Sequence, residues 1–176
     1  FYGFVLNMLA CGGDNYFKGY SGYVRPIRSF TTPGTPTSVS GTSGNAQVAL
    51  TWSAPASTGG AAISDYVVQY SSDGTTWTTF TDSVSSTASV TVTGLTNGTA
   101  YTFRVAAVNA GGTGMYSVVS AAVIPFTTPD APTAVAGVSG NAQVAVSWTL
   151  PASNGGSAII QYKVSYAPEG TDSYGT

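Results

Sequence analysis

Side chains able to do acid–base or nucleophilic chemistry are few in this sequence. The carboxylates are Asp14, Asp65, Asp73, Asp82, Asp130, Glu169 and Asp172, scattered across turn-like stretches. None forms the Asp-x-Asp-x-Asp-Gly spacing of a calcium loop. A glycosidase pair needs two carboxylates facing each other across a cleft, and nothing in the spacing sets up such a pair. Histidine is absent and Cys11 is the one cysteine. Ser-His-Asp and Cys-His machinery is therefore excluded, as are a soft-metal site built from the chain's own ligands and an internal disulfide. The expectation is a chain with no enzymatic activity, metal or cofactor. With 5 Lys plus Arg against 7 Asp plus Glu, a net charge of −2, it has no cationic footprint for nucleic acid.

Binding chemistry has more candidates. Trp77 and Phe80 share a short extended stretch, where an exposed Trp can stack on a sugar ring. The plainer role is to cover the neighbouring strand. Met115 and Tyr116 belong to the loop AGGTGMY at 110–116. Loops on a rigid scaffold often carry binding, although these glycines equally suit a hairpin turn. Asn97-Gly98-Thr99 fits an N-glycosylation acceptor, but also a turn whose Asn and Gly take positive φ. The turn accounts for the residues without any modification.

The elements that must position these groups come from a repeat. SGNAQVA occurs at 43–49 and again at 139–145, an offset of 96. At the same offset Pro33, Pro36, Trp52 and Pro55 match Pro129, Pro132, Trp148 and Pro151. Gly59, Gly60, Ile63, Tyr66, Val68 and Tyr70 match Gly155, Gly156, Ile159, Tyr162, Val164 and Tyr166. A period this long is a whole domain and not a solenoid unit.

Within the first copy, apolar residues alternate. Val48, Leu50 and Trp52 share one face; so do Tyr66, Val68 and Tyr70, then Val90 and Val92, then Tyr101, Phe103, Val105 and Ala107. Turn signals separate these runs: SGN at 43–45, STGG at 57–60, DG at 73–74, NG at 97–98 and AGGTG at 110–114. About seven short strands with turns every 8–12 residues predict an antiparallel two-sheet sandwich, an all-β fold. No stretch shows sustained helical spacing, and no apolar run reaches the roughly 18 residues of a spanning helix.

Trp52, Pro55, Ile63-x-x-Tyr66-x-Val68-x-Tyr70, Leu95, Asn97-Gly98-Thr99-x-Tyr101 and Arg104-Val105-x-Ala107-x-Asn109 occur in an order and spacing that resembles the fibronectin type III domain, in its bacterial or phage form. The resemblance implies an immunoglobulin-like sandwich of seven antiparallel strands, A, B and E facing C, C′, F and G. It implies a core on Trp52, Tyr66, Val68 and Leu95. Tyr101 would form a tyrosine corner, its hydroxyl donating to a backbone carbonyl at 95–99. Arg-Gly-Asp does not occur, so the integrin-binding use of this fold has no motif here.

The expected organisation is a preceding segment at 1–30, a complete domain at 31–126, and strands A to C of a second copy at 127–176. The counterparts of Leu95 and Tyr101 in that copy would lie past the last residue. Without a facing sheet, Val144, Val146, Trp148, Tyr162 and Val164 should meet water, making 129–176 marginal as a free fragment. Residues 1–30 carry a net +2 against −4 for the rest. Their aromatic strands and the ending YVRPIRSF are similar to the close of a C-type-lectin-like domain. Met8-Leu9-Ala10-Cys11-Gly12 also resembles a bacterial lipobox, the remnant of a lipoprotein signal.

The function expected is that of a non-catalytic spacer or adhesion module in a secreted or surface-displayed multidomain protein, located outside the cell or at its surface. The alternatives are an accessory module of an extracellular polysaccharide-degrading enzyme and a phage tail or capsid decoration on the virion. Expected partners are adjacent domains of the same chain and a protein or carbohydrate on a surface, with no nucleic acid and no transmembrane segment.

Overall fold

The computed structural model describes residues 29–167, and within them the chain is all β. The lipobox and most of the lectin-like ending lie outside the described residues. Nine strands follow in order: β1 Thr37–Gly44, β2 Gln47–Ser53, β3 Asp65–Ser71, β4 Thr78–Thr79, β5 Ser89–Thr93, β6 Thr102–Asn109, β7 Gly112–Thr113, β8 Thr133–Gly140 and β9 Gln143–Thr149. The first seven form two antiparallel sheets, β1-β2-β5 and β4-β3-β6-β7. These are the A-B-E and C′-C-F-G sheets that the resemblance implies.

Alternation explains why the sheets face each other. β2 buries Val48, Leu50 and Trp52 and leaves the residues between them exposed. The opposing sheet contributes Tyr66, Val68, Phe103, Val105 and Ala107 to the same core. Trp52 meets Tyr66 edge-on, with ring centroids 5.1 Å apart, a favoured aromatic geometry. Leu95 and Tyr101 close the core from the β5–β6 connection.

The last strand departs from a regular ladder. After β7, the N–H groups of Gly114, Ser117, Ser120 and Val123 donate to the carbonyls of Ala107, Val105, Phe103 and Tyr101. Three residues on this edge thus answer each two on β6. The spare β6 donors go to side chains: Val105 N–H to Ser117 Oγ at 3.1 Å and Phe103 N–H to Ser120 Oγ at 3.1 Å. Repeated bulging of this kind keeps the edge from offering a flat template to another chain.

β8 and β9 reproduce β1 and β2 closely. Both hairpins shift register in the same place, between Thr37 and Ser40 and between Thr133 and Ala136. Ala46 and Ala142 both take φ 53. Thr31 N–H bonds Gly59 O at 2.9 Å, and Thr127 N–H bonds Gly155 O at 2.8 Å. What surrounds the hairpins differs. Val48 is 0% and Leu50 1% exposed, whereas Val144 is 62% and Val146 41%. Residues 159–167, where strand C of the second copy would fall, carry a single bridge residue, Tyr166, in place of a strand. β3 exists because β6 pairs along its whole length, and no described strand plays that part for 159–167.

Candidate functional site

The outer face of the four-stranded sheet carries the one concentration of aromatic and cationic side chains in the sandwich. Arg104 is the sole Lys or Arg between 31 and 126. It lies on β6, on the face opposite Phe103 and Val105, and so points out of the core. Its guanidinium carbon stands 4.1 Å from the Trp77 ring centroid and 4.5 Å from that of Tyr116. Its Nε–H donates to Gln69 Oε1 at 2.9 Å, and Gln69 Nε2 donates to Thr79 Oγ1 at 3.0 Å. One lateral chain of contacts therefore runs from Thr79 on β4 through β3 and β6 to Tyr116 in the segment after β7. A planar guanidinium held between two rings is a favourable stack. It also occupies the faces with which Arg104 would grip a ligand.

The four surface candidates separate accordingly. Trp77 and Tyr116 are half-buried against Arg104. Trp77 and Phe80 flank the two-residue β4 and, being three residues apart, turn opposite ways. Phe80 packs against the core, its N–H donating to Val68 O at 2.9 Å, so it is no part of an outer surface. Met115 stays 77% exposed. Arg104 is the residue that sequence reasoning missed as the partner of Trp77. Its being the domain's lone cation on an outward position of β6 was the available signal.

The core candidates Trp52, Tyr66, Val68, Leu95 and Tyr101 are all buried, the last at 9% exposure. The tyrosine corner differs in one respect from the expectation. The Tyr101 oxygen accepts the Thr96 N–H at 3.2 Å, so among the described contacts the hydroxyl is an acceptor and not a donor to a carbonyl. The ring lies edge-on to Tyr70 at 6.0 Å, a packing that leaves the oxygen beside the Thr96 amide. Asn97, the sequon residue, is bound twice: its Oδ1 accepts the Ala46 N–H at 2.8 Å and its Nδ2 donates to Asn45 Oδ1 at 2.8 Å. Nδ2 is the atom a glycan would modify, and here it ties the turn to the β1–β2 hairpin.

Two carboxylates of the sandwich, Asp73 and Asp65, are structural as well. Asp73 Oδ1 accepts the Thr75 and Thr76 N–H groups, each at 2.7 Å, and the Ser71 hydroxyl at 2.9 Å. The backbone bonds from Thr76 and Thr75 hold its carboxyl well below the ordinary carboxylate range. Asp65 Oδ1 accepts the Ser85 N–H at 3.0 Å. Burial pushes the Asp82 carboxyl up, and the charge of Asp65 adds to the effect. Among the described residues no group of three or more His, Cys, Asp or Glu could hold a metal ion.

Two concavities accompany the sheets. One of about 280 Å³ runs between residues 35–39 and 117–121. The other, about 250 Å³, is lined by Pro132, Val146, Trp148, Tyr162 and Lys163 among others. Trp148 and Tyr162 stand 5.1 Å apart, as Trp52 and Tyr66 do. Val146, Trp148 and Tyr162 in its lining are the counterparts, at the offset of 96, of the core residues Leu50, Trp52 and Tyr66. Neither gathers the convergent polar groups of a reaction site.

Comparison with known proteins agrees with this architecture. Residues 32–123 match the profile of the fibronectin type III domain. Among solved structures, a crystal structure of domains from titin is 32% identical with a TM-score of 0.50, over 53% of this chain and 32% of that one. Titin kinase with its flanking domains is 31% identical with a TM-score of 0.50, over 54% of this chain and 17% of that one. The FN1–FN3 domains of chicken CNTN1 are 28% identical with a TM-score of 0.50, over 66% of this chain and 42% of that one. The chain spans less than half the length of each of these. With three strands facing four across one core, and the family profile covering more than half of its residues, the protein belongs to the fibronectin type III family.

Proposed function

We propose that this chain is a non-catalytic structural spacer of a secreted or surface-displayed multidomain protein, of the kind that holds adhesion or other domains at a set distance from a surface. A fibronectin type III domain is commonly a structural module of multidomain proteins, and that coarser role is the starting point. The observation that carries the finer reading is the use made of most of the chemically capable side chains in the sandwich. Arg104, Asp65, Asp73 and Asn97 are each spent on holding strands and turns together. Two Pro-rich runs, TTPGTP at 31–36 and IPFTTPDAP at 124–132, flank the domain and restrict the joints on either side. Low charge and Thr- and Ser-rich strand faces suit an extracellular surface.

On this reading 127–176 is the N-terminal part of a second domain of the same kind, supported by the repeat at an offset of 96 and by the matching hairpin geometry. No helix among the described residues is long and apolar enough to cross a membrane.

Stretching the full chain by its ends tests the spacer reading. The 31–126 domain should resist and then yield in one cooperative step that lengthens the chain by about 300 Å, at roughly 3.5 Å per released residue. Gradual extension with no discrete step would refute it.

A further inference from the structure

The Asn97-Gly98 turn is bound more tightly than a surface turn requires. Gly98 N–H donates to Pro125 O at 2.9 Å, and Phe126 N–H donates to Gly44 O at 3.2 Å. Asn97 reaches back to Asn45 and Ala46. The turn, the β1–β2 hairpin and the start of the linker are thus knotted together at one pole of the sandwich. Gly156, from the loop after β9, rests on that knot. A Cβ added to Gly156 would lie 2.5 Å from Gly98 N, 2.9 Å from Asn97 C and 3.0 Å from Asn97 Cβ. Viewed from the other side, a Cβ on Gly98 would lie 3.2 Å from Gly156 Cα. Backbone meets backbone, with no room for a side chain on the face that Gly156 presents.

Gly60 supplies an internal comparison. It occupies the same place in the first copy and takes φ +87, against +90 for Gly156. Both positions sit in the left-handed region that favours glycine. A Cβ on Gly60 would meet only Phe30 Cδ1, at 3.7 Å, an ordinary contact. Positive φ therefore explains the glycine at both places, while the steric demand exists only at Gly156.

We infer that the Asn97-Gly98 turn is the docking seat for the segment that follows the sandwich, and that Gly156 sets the joint by a close backbone contact that a side chain would break. This deepens the spacer reading and rests on it: a linker of 124–132 alone restricts the angle between units, whereas a seat fixes it. Its partner is the Gly-Gly loop of a following unit, and its selectivity is steric.

The test is amide NMR on the full chain in three forms: unchanged, Gly156→Ala and Gly60→Ala. In the unchanged chain, through-space signals should connect the Gly156 Hα atoms to Asn97 and Gly98. Gly60→Ala should keep them, because it adds only the φ strain. Gly156→Ala should abolish them and move the Asn97 and Gly98 amide signals, while those of β3 and β6 stay in place. Gly98→Ala, which pushes from the opposite side, should also abolish them. Absence of the signals in the unchanged chain would overturn the inference. So would Gly156→Ala leaving Asn97 and Gly98 unmoved, or Gly60→Ala disturbing them equally. None of these outcomes bears on whether 31–126 resists stretching, so the joint and the spacer reading can fail separately.

Discussion

Trp52 sits between the sheets edge-on to Tyr66, and its Nε1–H has no acceptor among the described residues. Removing the indole removes packing and leaves a cavity, with no hydrogen bond lost. Trp52→Ala is therefore expected to cost about 3–5 kcal/mol, a large part of an ordinary domain's stability. A urea melt reads this directly, and an unchanged midpoint would contradict it. Asp82 gives the opposite sign. Its carboxyl titrates above the ordinary range because it is partly buried and faces the charge of Asp65, so its ionised form destabilises the fold near neutral pH. Stability lost to it returns as pH falls through the raised pKa. Asp82→Asn should accordingly raise the melting temperature at pH 7, with the gain vanishing in acid; a gain that persists in acid would refute the cause assigned. Asp73 runs the other way: what it contributes is present above the ordinary carboxylate range and is lost only in strong acid. At this scale the identity of the core was readable from alternation and aromatic type. The direction of the Tyr101 bond was not, because a hydroxyl both donates and accepts and only the position of the Thr96 amide decides between them.

β2, β3 and β6 were legible as elements because each alternates over a full strand with one buried face. β4 and β7 are two residues long and carry no period to read. The segment after β7 escaped for a different reason. Its ladder to β6 is completed by the hydroxyls of Ser117 and Ser120, so its backbone follows a three-for-two step that no alternation announces. Ser117 is buried at 7% exposure, and its loss strands the Val105 N–H. Ser117→Ala should cost about 1–3 kcal/mol, the penalty of an unmet buried donor, whereas a plain exposed serine would show almost no change in a denaturant melt. The stack across the four-stranded sheet makes a second prediction. Arg104→Ala should cost about 1–2 kcal/mol through the loss of two cation–π contacts and the Gln69 bond. It should also shift the Trp77 emission to longer wavelength as the ring meets water. Unaltered emission would mean that Trp77 is held by something other than Arg104. The sequence marked Trp77 and Tyr116 as aromatic, but their meeting across β6 depends on which strand lies between them.

For the whole molecule, the repeat was plain in the sequence, while its structural consequence depends on what faces each copy. The two SGNAQVA segments are identical in sequence, so their amides share nearly the same intrinsic exchange chemistry and differ in surroundings alone. β2 lies between β1 and β5 and beneath a second sheet, whereas among the described residues β9 pairs with β8 alone. This contrast bears on the central claim, that one complete sandwich is the stable unit and that its opposed sheets are the source of its rigidity. The most direct measurement is native-state hydrogen exchange on the full chain, comparing the amides of Val48 and Val144. The account predicts that Val48 exchanges with the slow group formed by β2, β3 and β6, and that Val144 exchanges at least about a thousandfold faster, a gap of about 4 kcal/mol in opening free energy. Equal protection at Val48 and Val144 would contradict it, since a hairpin without a facing sheet would then be as stable as the sandwich.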